Sequence, residues 1–162
     1  LSSKAICDYL VQKLAIPEYH AQLAAGFACG NLGRALRFAS SAEFEEQKEA
    51  ILHLLRHLDE MTTSEIVASI KPLTEEKASI ADELDLILLW FRDVLILKAS
   101  QKADELVYRG ELTELRRYAA TRSFAALNRV IQGVETARTR LKANVSAETV
   151  LELLFLTMKE TE

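Results

Sequence analysis

Apolar positions recur along this chain at helical spacing, and the stretch from Ala78 to Lys102 shows it most strongly. From Leu84 to Leu97 only Asp85, Arg92 and Asp93 are polar. Leu84, Ile87, Leu88, Phe91, Val94 and Leu95 repeat at i, i+3, i+4, i+7, which predicts a helix. Leu86, Leu89, Trp90, Ile96 and Leu97 fill most of the remaining surface, so the pattern predicts a post surrounded by other helices. Three charges interrupt the run, and a membrane span needs about twenty consecutive apolar residues, so a spanning helix is the poorer reading. Asp85, Arg92 and Asp93 lie seven and eight residues apart, which predicts one narrow polar stripe.

The remaining pattern predicts helices throughout. Ser2 or Ser3 caps a first helix to Leu14, with Ile6, Leu10 and Leu14 on one side. Pro17 opens a second helix to about Cys29, carrying Tyr19, Leu23 and Phe27. Its small residues Ala24, Ala25, Gly26 and Ala28 permit close packing, and Gly30-Asn31 ends it in a left-handed turn. A short helix follows over 32–39. Ser40 and Glu43 have capping-box spacing before a helix to about Leu58. Thr62 and Glu65 repeat that signature before a helix to about Ile70. After the central helix, 104–110 reads as a connection. Helices are then expected over 112–120, 123–142 and 147–159, the last with Ser146 as cap. The second of these carries Phe124, Leu127, Val130, Ile131, Val134 and Leu141.

Composition sharpens the fold class. The chain has 162 residues with 49% hydrophobic content, 5 Gly and 2 Pro, which favours an all-α helical bundle. No stretch has the β-branched alternation of a strand. The organisation predicted is a small helical module at 1–40, too short for a core of its own, followed by a main helical domain at 41–162.

Charge gives a weaker signal. The formal net charge is −4, against a whole surface that grips nucleic acid. Arg109 to Lys142 carries a net +5 and the remainder −9. That basic excess is either a solvated helix face or a surface that meets an acidic neighbour. Cys7 and Cys29 are two distant thiols in apolar helical settings, consistent with buried small hydrophobes in a reducing, cytoplasmic compartment.

Candidate chemistry is sparse. His53 and His57 are four apart on one helix face, a workable metal spacing without an evident third ligand. Glu45-Glu46 and Glu75-Glu76 sit near helix N-termini, where the macrodipole accounts for them. There is no GxxxxGK[ST] phosphate loop, nucleophile elbow or dinucleotide fingerprint. No catalytic residue, cofactor or metal is therefore expected.

Three stretches carry a resemblance. Gly30-Asn31-Leu32-Gly33-Arg34-Ala35-Leu36, after the small-residue helix, resembles the end of the lid domain in clamp-loader AAA+ subunits. Trp90-Phe91-Arg92-Asp93-Val94-Leu95 resembles a segment of the collar domain in bacterial DNA polymerase III delta-prime subunits. Asn144-Val145-Ser146 followed by Leu151-Glu152-Leu153-Leu154 is similar to that family's closing turn and helix, with Ser146 where Asn is usual.

The resemblance implies a lid tail at 1–40 and a collar domain, which packs into a pentameric ring, at 41–162. The partners implied are the gamma/tau and delta subunits, with the sliding clamp and primed DNA reached indirectly and no membrane. The part is non-catalytic within a DNA polymerase III holoenzyme, and an ATPase core would lie upstream of Leu1. Its inter-subunit surface is expected in 111–142 and the last helix, with Arg116, Arg117, Arg122, Arg129, Arg138 and Arg140 as contacts. In gamma/tau subunits the lid motif reads like G-S-x-R-D-A-L, and its arginine senses nucleotide. Here Gly33 holds that position and Arg34 stands where Asp would be, about 100° away around the helix. That favours delta-prime. The alternatives are a gamma/tau lid–collar fragment and a free-standing helical protein binding metal through His53 and His57.

Overall fold

The computed structural model describes residues 1–75 and 77–160, with backbone alone at 77–79; Glu76 of the predicted acidic pair lies outside them. All regular structure among the described residues is helical, as the apolar spacing predicts. Nine α-helices are described. They are α1 (Ser3–Leu14), α2 (Glu18–Ala28), α3 (Leu32–Ser40), α4 (Ala42–His57), α5 (Thr63–Ile70), α6 (Lys77–Ser100), α7 (Leu112–Thr121), α8 (Phe124–Lys142) and α9 (Ala147–Lys159). Short 3-10 turns at Leu58–Glu60, Lys71–Thr74, Ala103–Glu105 and Arg109–Glu111 complete the path.

Local chemistry sets these boundaries. The Ser2 hydroxyl accepts from the Ala5 N–H and starts α1. Thr62 and Glu65 close a reciprocal capping box on α5. Serine also starts α4, but the residue is Ser41, whose Oγ accepts from the Phe44 N–H at 3.1 Å. Ser40 is still the last residue of α3 and donates to the Leu36 carbonyl at 2.7 Å. The two serines have equal capping chemistry; the one further residue of α3, Ser40, decides between them. The left-handed turn after α2 begins at Cys29 (φ 49°) and continues through Gly30 (φ 85°), while Asn31 caps α3 by accepting from the Arg34 N–H. Cys29 is thus exposed at a helix end, contrary to the expectation of a buried thiol.

Helix α6 is the post around which the rest is packed. It touches α2, α4, α7 and α8, and only Ala81, Arg92, Ala99 and Ser100 of its described side chains are exposed. Trp90, buried completely, meets Tyr108 and Tyr118 edge-on, with ring centroids 5.5 and 5.6 Å away. Each large apolar side chain buried in this way contributes roughly 1.5–3 kcal/mol. Helices α1–α3 pack on one another and join the same continuous core through α2 and α6. Three of the apolar residues singled out along the helices lie outward. Leu14 and Tyr19 sit at the chain's N-terminal edge, and Phe124, 50% exposed in the first turn of α8, lies under the Lys98 ammonium at 5.1 Å. No helix among the described residues is long and apolar enough to cross a membrane.

Candidate assembly surface

The polar residues of the central helix separate into different roles. Arg92 and Asp93 are neighbours in sequence and therefore about 100° apart around α6. Arg92 faces solvent, and Asp93 is buried. The single stripe expected from their spacing is therefore absent. Both Asp93 oxygens accept from the Val107 N–H at 3.1 Å, and Oδ2 also accepts from the Tyr108 N–H at 2.8 Å. Asp93 thus fixes the connection between α6 and α7, and Tyr108 drops from it into the core to donate to the Leu86 carbonyl at 2.9 Å. Burial pushes the Asp93 carboxyl up to about 6, although the backbone N–H groups pull it down. The buried Trp90 indole N–H has no hydrogen-bond partner among the described residues.

Asp85 binds two guanidiniums. Arg34 reaches it from α3 at 3.0 Å and Arg138 from α8 at 2.6 Å. Arg34 also lies 3.8 Å from Asp82 and over the Phe38 ring at 5.2 Å. Gly33, beside it, has an ideal Cβ position only 3.3 Å from the Asn31 cap oxygen.

The six arginines expected at a surface divide into two groups. Arg122 is fully buried. It pairs with Asp59 at 2.7 Å, donates to the Met158 carbonyl at 3.0 Å and lies 4.0 Å over the Tyr118 ring. Arg117 bonds Asp59, Glu114 and the Arg56 carbonyl. Burial raises the Asp59 carboxyl, but the bonds and charges of Arg122 and Arg117 outweigh it and hold the group below its usual range. Arg138 is occupied by Asp85. Arg116, Arg129 and Arg140 are exposed, Arg129 with Glu160 at 4.0 Å.

Arg129 and Arg140 flank a groove of about 360 Å³ between α8 and α9. Gly133, Ala137 and Val150 line it, and Leu153 rises from its α9 wall with 44% of its surface exposed. Leu156 is exposed one turn further along α9. Apolar side chains between exposed guanidiniums suit a protein contact with a desolvated centre and a charged rim. His53 and His57 lie side by side on the outer face of α4, with ring centroids 4.7 Å apart. Among the described residues no group of three or more His, Cys, Asp or Glu side chains is arranged to hold a metal ion.

Spacing alone missed Asp59, Tyr108 and Glu83. Glu83 carried a readable signal, because it occupies the i+3 place on the apolar stripe of Ile80, Leu84 and Ile87. A carboxylate at a core position marks an unusual site.

The architecture is that of an all-α helical bundle domain. A family model described as DNA polymerase III, delta subunit, C terminal, matches residues 42–158, and the chain belongs to that family. Over 163 aligned positions it is 27% identical to DNA polymerase III subunit delta' of Bacillus subtilis (strain 168). The alignment takes in 99% of this chain and 49% of that protein, so the chain spans about half the length of the curated relative it matches. No solved structure matches the chain significantly.

Proposed function

We propose that this chain is the C-terminal, non-catalytic oligomerisation part of a delta-prime-type clamp-loader subunit. Residues 1–40 form the tail of the lid and 41–162 the collar domain. The collar packs beside gamma/tau and delta subunits in the pentameric ring that places the sliding clamp on primed DNA. The observation that carries this reading is the match to a delta' subunit along 99% of the chain. The family match begins at the first residue of α4 and ends within α9, which supports the same division. The groove between α8 and α9 supplies a face for a neighbour. Arg34 is held by Asp82 and Asp85 of α6, which supports a fastening role for it over nucleotide sensing and favours delta-prime over gamma/tau.

The test is to mix the folded chain with the other clamp-loader subunits and measure complex mass by light scattering after gel filtration. Entry into a defined complex is expected, and Arg129→Glu with Arg140→Glu should weaken it at least tenfold without changing the thermal midpoint. A folded chain that joins no such complex, or that hydrolyses ATP by itself, overturns the reading.

A further inference from the structure

A second groove, of about 570 Å³, lies between α3, α4, the 3-10 turn at Lys71–Thr74 and the first half of α6. Its apolar lining includes Phe38 and Phe44, stacked with centroids 4.3 Å apart, and Leu73 from the turn. Its charged lining is nearly all of one sign. Among the described residues, Glu43, Glu46, Glu75, Asp82 and Glu83 line it with one cation, Arg37. Arg37 is already engaged, with its guanidinium 4.9 Å over Phe38 and 3.4 Å from Asp82.

Glu83 separates this groove from an ordinary acidic face. It is 1% exposed and lines the groove, and its Oε2 has no hydrogen-bond partner among the described residues. A side-chain hydrogen bond from Gln47 serves the carboxyl, and Oε2 is left without a partner among the described residues. A buried polar atom left in this state destabilises the fold, and a fitting donor recovers that loss. Burial pushes the Glu83 carboxyl up to about 7, with the Asp82 charge adding to it and Gln47 opposing.

We infer that this groove receives an arginine side chain from a partner protein, with its guanidinium on Glu83 and its stem along Phe38, Phe44 and Leu73. A guanidinium presents paired donors that suit a carboxylate and a flat face that stacks on aromatic rings; a lysine ammonium has neither. The apolar lining beside the carboxylates fits an arginine stem and a flanking apolar residue of a polypeptide, which a free polyamine lacks. None of the described lining residues belongs to α8 or α9, so this contact and assembly through α8–α9 are separable.

The experiment titrates the whole chain, ¹⁵N-labelled, with acetyl-leucyl-arginine amide, its neutral citrulline counterpart and spermidine. Amide shifts are expected over 37–50 and 72–83, with the arginine peptide at least tenfold tighter than the citrulline one. Glu83→Gln should weaken the arginine peptide at least tenfold while the chain stays folded. Calorimetry at pH 7 in two buffers of different ionisation enthalpy should show on the order of half a proton released per peptide bound. Equal binding of both peptides, undiminished binding to the Gln variant, or no shifts at millimolar arginine peptide each overturn the inference. Spermidine binding more tightly than the arginine peptide overturns the assignment to a protein side chain.

Discussion

The Arg34 guanidinium meets the Asp85 carboxylate at 3.0 Å, although 51 residues of chain separate them. The other Asp85 oxygen takes Arg138 at 2.6 Å. One carboxylate therefore ties α3, α6 and α8 together, and it is a polar fastening between α1–α3 and the rest. All three side chains are about a third exposed, so solvent screens the network. Asp85→Asn should destabilise by only about 1 kcal/mol. Its effect should be uneven: hydrogen exchange should speed up in α1–α3 and stay unchanged in α7 and α9. A uniform change across all helices would show that the pair does not fasten the two parts.

The buried carboxyls set an unusual pH dependence. Glu83 titrates at about 7 in the folded chain against an ordinary 4.5, and Asp93 at about 6 against 3.8. The folded state therefore holds more protons than the unfolded state between these limits. Stability from both groups is fully present below pH 4 and is lost as pH rises through 6 and 7. Urea unfolding should show a decline on the order of 4 kcal/mol between pH 4.5 and 7.5. Glu83→Gln stays neutral throughout, so its profile should be flatter and its stability at pH 7.5 no lower than that of the parent. A parent profile that rises over this window would contradict the assignment.

Some of this was legible in the residues and some was not, for a physical reason. Apolar spacing is a local property, so it located α6 to within two residues of both ends, narrowed the first cap to Ser2 or Ser3 (it is Ser2) and placed another at Thr62. Ion pairing is a property of the folded chain. Asp59 and Arg122 are 63 residues apart, and nothing near either names the other. A basic excess over 109–142 therefore looks like surface, yet its members include an arginine at the centre of the bundle. Tyr108 escaped for a similar reason. It sits in an irregular connection where periodicity has no meaning, and partners from other elements, the Asp93 carboxylate and the Leu86 carbonyl, turn it inward.

Arg122 offers a direct way to tell interior from interface. Arg122→Leu removes the partner of Asp59 and the donor to Met158, while Arg117 still reaches Asp59. Breaking a buried pair costs about 3–5 kcal/mol, and the partial exposure of Asp59 places this one near 3. Arg140→Glu, on the exposed face of α8, should change stability by less than about 0.5 kcal/mol. Urea midpoints of the two variants separate the roles. An unchanged midpoint for Arg122→Leu together with lost assembly would make Arg122 an interface residue after all.

Two helical glycines should answer alanine substitution with opposite signs. Replacing glycine in a helix gains up to about 1 kcal/mol of propensity in either case. At Gly133 the new Cβ comes 3.2 Å from Leu154 Cδ1, the end of a flexible side chain that can turn aside. Gly133→Ala should therefore stabilise by about 0.5 kcal/mol. At Gly26 the new Cβ falls 2.9 Å from Val107 Cγ1 and 3.1 Å from Cγ2. Valine is stiff at χ1, so the clash passes to its backbone. That backbone is held by Asp93, and moving it stretches buried hydrogen bonds. Overpacking of this kind costs about 1–3 kcal/mol and outweighs the propensity gain. Thermal melts should therefore move up for Gly133→Ala and down for Gly26→Ala. Gly26→Ala in an Asp93→Asn background should lose less than additivity predicts, because the connection can then yield. Full additivity would mean that the Asp93 anchor does not hold Val107 in place against α2.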